Sequence, residues 1–310
     1  FRARAFAWRD ISRSSDEEAA RQIRQDAIDI LLDLAGHIGG NRLLVFARKP
    51  APLQFTYLGY QNTTGMSAMD YRLTDAIADP PGSEEFYTEK LLRLPGSFFC
   101  YQPRPRAPEV NGLPALERGY VTFASLNHLS KLTDAALTLW ASILREVPRS
   151  RLLVLGYTPG VLENKMRTIF AGQGVAPERL QVTNKRPREA YLQLHHEIDL
   201  ALDTFPFNGH TTICDALWMG VPSVVLQGDR YAARFGSSAL VNLSLDDLIA
   251  RSPEEYVAIA TGLARDLPRL AVLRHELRTR FRASPLTDAP RFARAVEAAY
   301  RQAWRTWCAR

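Results

Sequence analysis

Cysteine is scarce. Three residues (Cys100, Cys214 and Cys308) in a chain of 310 are too few and too scattered for a disulfide framework or a CxxC metal site. A reducing compartment is the default, and a cytoplasmic location is the expectation. Long apolar runs are missing too: nothing approaches ~18 consecutive apolar residues, which excludes a helical membrane span. The chain opens FRARAFAWRD, without an initiator Met or an apolar signal core, and reads as a fragment or processed chain with no visible address tag. It contains no GxGxxG, no Walker A sequence, no repeat and no low-complexity tract. Lysine is rare as well, found only at 49, 90, 131, 165 and 185 among 39 basic residues.

What remains is the composition of a globular protein, 46% hydrophobic and 23% charged, long enough for two domains rather than one. The net charge of +6 resides in the last sixty residues, where twelve Arg face six acidic residues. These arginines lie on amphipathic helical patterns such as LPRLAVLRHELRTRFR, which read as a solvated helix face. Nucleic-acid binding needs a coherent patch and base-stacking aromatics, and neither is evident. No nucleic-acid or membrane partner is therefore expected.

From Tyr120 onward, short β-rich runs alternate with longer helical ones. YVTFASL, RLLVLG, RLQVT, DLALDT and PSVVLQ read as strands; LTDAALTLWASILREV, VLENKMRTIFAGQG, PREAYLQLHHEI and TTICDALWMG read as helices. The strand runs are continuous and apolar, as in a parallel sheet covered on both faces. Five of them separated by helices predict a doubly wound, Rossmann-like sheet. Residues 1–115 are less regular: a helix at DEEAARQIRQ, strands at AIDILLDLAG, LQFTYLGY and MDYRLTD, and a loop QNTTGMSA. That is an incomplete Rossmann-like domain, and YQPRPRAPEVNGLP reads as a linker at about 101–116. The second domain is expected over 116–290, with a final helix over 291–310 crossing back to brace the first.

Three strand ends could carry chemistry. In DLALDTFPFNGHTTICDALWMG, a strand ends at Asp203-Thr204 and His210, Thr211 and Thr212 open a helix. A helix N-terminus offers unpaired N–H groups and a positive dipole end, which suits a phosphate; Asp215, one turn in, can accept from a ribose hydroxyl. An ordinary helix with Thr as N-cap is the bland alternative. In FASLNHLSKL, Lys131 stands out because lysine is so scarce, and a compact ammonium at a strand end fits a phosphate. His128 and Asn127 are nearby donors. In DLAGHIGGNR, His37 sits in a loop whose glycines 36, 39 and 40 allow close backbone approach. LGYQNTTG is a further polar loop at a strand end. His195 and His196 are neighbours on a helix, so their rings diverge by about 100°, and a metal site is rejected.

Together PAPLQFTYLGYQNTTGMSAMDYRLTD, LPGSFFCYQP, VTFASLNHLSKLT and LDTFPFNGHTTICDALWMGVPSVVL closely resemble the catalytic region of the protein O-GlcNAc transferase family, which includes the SPINDLY-type O-fucosyltransferases. The resemblance runs from about residue 26 to the C-terminus. It implies an α/β fold of the GT-B type, two Rossmann-like domains facing across a cleft. It also implies that Lys131 contacts the donor diphosphate, that His210, Thr211 and Thr212 grip the same phosphates, and that Asp215 holds the ribose. Tyr191 falls where O-GlcNAc transferases carry a base-stacking histidine, His128 replaces a glutamine, and Leu194 stands where those enzymes have an arginine. His210 favours the UDP-GlcNAc branch, whereas DYRLTDAIADPPG and FCYQP lean toward SPINDLY.

The resemblance implies an inverting, metal-independent transferase moving GlcNAc from UDP-GlcNAc to Ser/Thr hydroxyls of proteins. It uses no cofactor, and no DxD-like metal motif stands out in the expected cleft. GDP-fucose as donor is the alternative; a non-catalytic sugar-nucleotide binder and a basic nucleic-acid-binding protein are the others. The catalytic base and a set of tetratricopeptide repeats are expected before residue 1. His37 is the candidate polar group near the acceptor, and Lys131 the candidate catalytic group.

Overall fold

A computed structural model describes residues 2–156 and 160–309. They divide into two compact units, Phe1–Phe98 with Ala293–Arg310 and Phe99–Phe292.

The first unit is built on a parallel sheet of β1 (Ile30–Asp33), β2 (Leu53–Thr56), β3 (Tyr71–Asp75) and β4 (Lys90–Leu94), in that order. Helix α1 (Asp16–Gln25) begins with a capping box, in which Ser15 and Glu18 satisfy each other's backbone N–H groups. Its Ala19 and Ala20 pack on Val45 of α2 (Leu43–Ala47). Neither α2 nor β4 was foreshadowed by the sequence pattern. β4, KLLRL, is an edge strand with an exposed Lys90 and three half-buried residues, so it lacks the apolar run that marks the others. Of the glycines in the loop after β1, only Gly36 is closely approached: a Cβ there would strike the Tyr60 side chain, whereas Gly39 and Gly40 face open space.

The second unit holds six parallel strands. They are β5 (Thr122–Ser125), β6 (Arg151–Gly156), β7 (Leu180–Asn184), β8 (Leu200–Leu202), β9 (Ser223–Leu226) and β10 (Ile249–Ala250), in spatial order β10-β9-β8-β5-β6-β7. β5 and β8 are neighbours, and the chain runs outward from them in opposite directions. That is the topological switch point where doubly wound sheets open a crevice at the strands' carboxyl ends. The crossovers use α4 (Asp134–Glu146), α5 (Val161–Gly172), α6 (Arg188–Gln193), α7 (Thr211–Trp218) and α8 (Phe235–Val241), after a short α3 (Pro114–Arg118). Helices α9 (Pro253–Arg265) and α10 (Leu267–Ala283) follow. Trp140 of α4 is fully buried, and its indole donates to the Tyr256 hydroxyl at 3.1 Å.

The helix expected over 187–198 is shorter. α6 stops at Gln193 and continues as a 3-10 turn, Leu194–Glu197, in which His195 is buried. The stretch read as a linker lies within the second unit and is held to it, for instance by Ala115 N–H donating to Asp199 at 2.8 Å. The Arg-rich α10 is not simply a solvated face. Arg274 is 1% exposed and donates to the carbonyls of Ile198 and His195 at 2.5 and 2.9 Å; Arg278 donates to Trp218 O at 2.8 Å. Burial pushes Arg274 down to about 10. The last helix, α11 (Ala289–Cys308), counts with the first unit from Ala293, where Tyr300 meets Phe55 edge-on at 5.0 Å.

Candidate active site

The switch point of the second unit brings two of the sequence-derived runs together. The loop leaving β5 carries Asn127, His128 and Lys131; the loop leaving β8 runs from Asp203 to the start of α7. Asp203 Oδ1 accepts from Gly209 N–H at 2.7 Å and from Asn127 Nδ2 at 3.1 Å, and Asn127 Oδ1 accepts from the Thr212 hydroxyl at 2.8 Å. Lys131 Nζ donates to Asn208 O at 2.6 Å and lies 4.1 Å from the centre of the Phe207 ring. Burial lowers the Lys131 pKa, while the Asp203 charge opposes that shift. Asp203 is pushed in the other direction by burial, its carboxyl held above the usual range despite Gly209 and Lys131.

Helix α7 starts at Thr211 with His210 as its N-cap residue, and no side chain caps it; its first turn holds no acidic residue. The bland alternative of a Thr-capped helix is therefore not realised, and the helix end keeps N–H groups for a ligand. His210 packs edge-on against Phe235 and Phe99, at 3.6 and 5.7 Å between ring centres. Burial and Lys131 push it down to about 3, so its imidazole is neutral at pH 7. His128 is exposed and hydrogen-bonds the Ser130 hydroxyl at 2.8 Å.

A pocket of ≈ 330 Å³ opens beside this helix end, lined among others by His128, Lys185, Arg188, Tyr191, Thr211 and Thr212, with Asp215 at its base. Asp215 is 1% exposed. Arg188 binds it through both terminal nitrogens, and the Tyr101 hydroxyl donates to it at 2.6 Å. Tyr191 is buried, stacked under the Arg188 guanidinium, and its hydroxyl has no hydrogen-bond partner. Tyr191, Leu126 and Leu155 contribute to the apolar part of the pocket wall.

The profile of glycosyl transferase family 41 matches residues 5–111 and 106–296. The chain belongs to glycosyl transferase family 41. Among curated family 41 relatives, the Solanum lycopersicum protein named Probable UDP-N-acetylglucosamine--peptide N-acetylglucosaminyltransferase SPINDLY is 41% identical over 304 residues, 97% of this chain and 33% of its own length. The Caenorhabditis elegans UDP-N-acetylglucosamine--peptide N-acetylglucosaminyltransferase is 26% identical across 94% of this chain and 35% of its own length. The chain thus spans about a third of the length of these relatives. A solved structure of a mutant Thermobaculum terrenum O-GlcNAc transferase superposes with a TM-score of 0.93 at 42% identity, covering 99% of this chain and 59% of that one. Sucrose-phosphate synthase of Thermosynechococcus elongatus shares the fold alone, with a TM-score of 0.65 at 9% identity, over 94% of this chain and 77% of that one. The fold is of the GT-B type.

In this family 41 chain, then, Lys131, His210, Thr211, Thr212, Tyr191, His128 and Asp215 all lie around one crevice of the second unit. His37 belongs to the first unit, on the loop after β1. It is exposed, its Nε2 is 2.8 Å from Thr64 O, and its ring meets Tyr60 edge-on at 5.1 Å. His195 and His196 diverge as expected: one is buried against the carbonyls of Tyr191 and Leu192, the other reaches Glu109 O at 2.8 Å. Among the described residues no group of three His, Cys, Asp or Glu could hold a metal. Sequence reasoning missed Arg188 and Tyr101. The scarcity argument that singled out Lys131 applies equally to Lys185, in the KRPRE run, and would have drawn attention to Arg188.

Proposed function

We propose that this chain supplies the donor site of an inverting glycosyltransferase that needs no metal and moves GlcNAc from UDP-GlcNAc to Ser/Thr hydroxyls of proteins. The observation that carries the reading is the convergence, at one switch point, of a half-buried lysine and a helix N-terminus that no side chain caps. In such a reaction the acceptor hydroxyl gives up its proton to a base as its oxygen attacks the anomeric carbon in line and the bond to the diphosphate breaks. The electron pair leaves with the phosphate, and countercharge there lowers the barrier. Lys131, the Thr211 and Thr212 groups and the α7 N–H groups supply it, the part a metal plays elsewhere. Asp215 and Tyr191 serve the nucleoside, and His37 is assigned to the acceptor side. GDP-fucose is the second reading, favoured by Tyr191 standing in the base position.

The test is transfer of labelled sugar to Ser/Thr peptides by the full-length polypeptide, with UDP-GlcNAc and GDP-fucose offered separately. Transfer from UDP-GlcNAc supports the first reading and transfer from GDP-fucose the second. Binding of either donor without transfer or donor hydrolysis would leave a sugar-nucleotide binder.

A further inference from the structure

Asp203 is a carboxyl side chain only 2% exposed, at the point where β8 gives way to the α7 loop. Nothing in the proposed reaction calls for it to meet the donor. Its Oδ1 nevertheless gathers the site. It holds the Gly209 N–H, which sets where α7 begins, and the Asn127 amide, which in turn takes the Thr212 hydroxyl. The Asp203–Asn127–Thr212 relay thus crosses from the end of β8 to the end of β5 and back to the first turn of α7. The packing leaves no slack: a Cβ on Gly209 would come within 3.0 Å of the side-chain oxygens of Thr212, Asn127 and Asp203. The Asp203 backbone is fixed as well, because its carbonyl accepts from the Tyr256 hydroxyl at 3.0 Å.

The second carboxylate oxygen is different. Asp203 Oδ2 is buried without a hydrogen-bond partner, and so are the hydroxyl oxygens of Ser125 and Ser223. All three residues line one pocket of ≈ 20 Å³, room for about one water. The surroundings therefore tolerate an amide at this position: its oxygen can replace Oδ1 and its NH₂ can face the serine oxygens.

We propose that Asp203 is a positioning residue for the donor diphosphate. It acts through Asn127 and Gly209 to fix the Thr212 hydroxyl and the α7 N-terminus, without touching the donor. The inference rests on the donor-site reading above.

The experiment compares full-length wild type, Asp203→Ala, Asp203→Asn and Asn127→Ala. Each is tested for binding of UDP and of uridine by calorimetry and for kcat and donor KM. Asp203→Ala should weaken UDP by about tenfold or more and lower kcat by ~10²-fold, while uridine affinity stays within about twofold. Asp203→Asn should recover part of both losses, because it keeps the Oδ1 acceptor. A purely structural role would weaken UDP and uridine together, in step with the folded fraction. That result, or an Asp203→Ala protein that binds UDP and turns over like wild type, overturns the proposal. Should Asp203→Ala fail to fold, the Asp203→Asn and Asn127→Ala pair decides. Their UDP losses should overlap in the double variant, and fully additive losses overturn the relay. Wild type that binds neither UDP nor GDP sinks the donor-site reading itself. If wild type prefers GDP, the same comparison is made with GDP and guanosine.

Discussion

Arg188 and Tyr101 meet on one carboxylate. Arg188 grips Asp215 through both terminal nitrogens from the start of α6, and the Tyr101 hydroxyl reaches it at 2.6 Å from 114 residues away in sequence. Both donors satisfy the buried Asp215 side chain, and the ribose proposed to use it must share it with Arg188. Removing one partner leaves a buried carboxylate short of donors. Tyr101→Phe should cost about 1–2 kcal/mol and Arg188→Ala toward the lower end of about 3–5 kcal/mol, discounted because Arg188 is 39% exposed. Urea denaturation of both variants checks this; an unchanged midpoint for Arg188→Ala would contradict it.

Lys131 lies at the switch point, and its ammonium is the countercharge proposed for the leaving phosphate. Lys131→Ala should lower kcat by ~10²–10³, as loss of one transition-state donor does elsewhere. Steady-state transfer measures it, and normal turnover would mean that the phosphate assignment is wrong.

Gly209 has no room for a methyl group, since the added Cβ would push apart Thr212, Asn127 and Asp203. Gly209→Ala is expected to destabilise by about 1–3 kcal/mol, the usual cost of overpacking, and to weaken UDP by about tenfold or more. Thermal melts and calorimetry read the two effects separately. Wild-type UDP affinity in a folded Gly209→Ala protein would show that the turn is looser than its geometry implies.

How much of this was legible in the sequence depends on what each feature is made of. The central strands of the second unit are continuous apolar runs, and their order in the chain is enough to imply a parallel sheet. The 3-10 ending of α6 and the edge strand β4 carry no such signal, because each is set by tertiary packing. The two donor runs were visible because they follow strands, and Lys131 because lysine is rare. Tyr101 was not, since a Pro-rich stretch read as a linker gives no hint of a partner at residue 215. Asp203 was seen only as the end of a strand; its role needs Asn127, Gly209 and Thr212 in one place.

His195 is buried neutral, pushed down to about 4 from 6.5 by burial, with Asp215 opposing and Arg274 reinforcing the shift. The unfolded chain binds a proton that the folded one refuses between those values. The stability this group contributes is complete above pH 6.5 and is lost as pH falls toward about 4, up to roughly 3 kcal/mol. His210 acts with the same sign. His195→Leu should flatten the acid limb of a stability–pH curve; a limb as steep as wild type would contradict the assignment.

The second unit is proposed to hold a nucleoside diphosphate with its phosphates at Lys131 and the start of α7. Calorimetric titration of UDP, GDP and uridine into wild type and Lys131→Ala tests it most directly. UDP is expected to bind more tightly than GDP, Lys131→Ala to weaken UDP by about tenfold or more, and uridine to be unaffected. Tighter binding of GDP would transfer the same geometry to the fucose donor. UDP or GDP affinity that ignores Lys131, or binding of neither nucleotide by the full-length polypeptide, would rule out this placement of the phosphates.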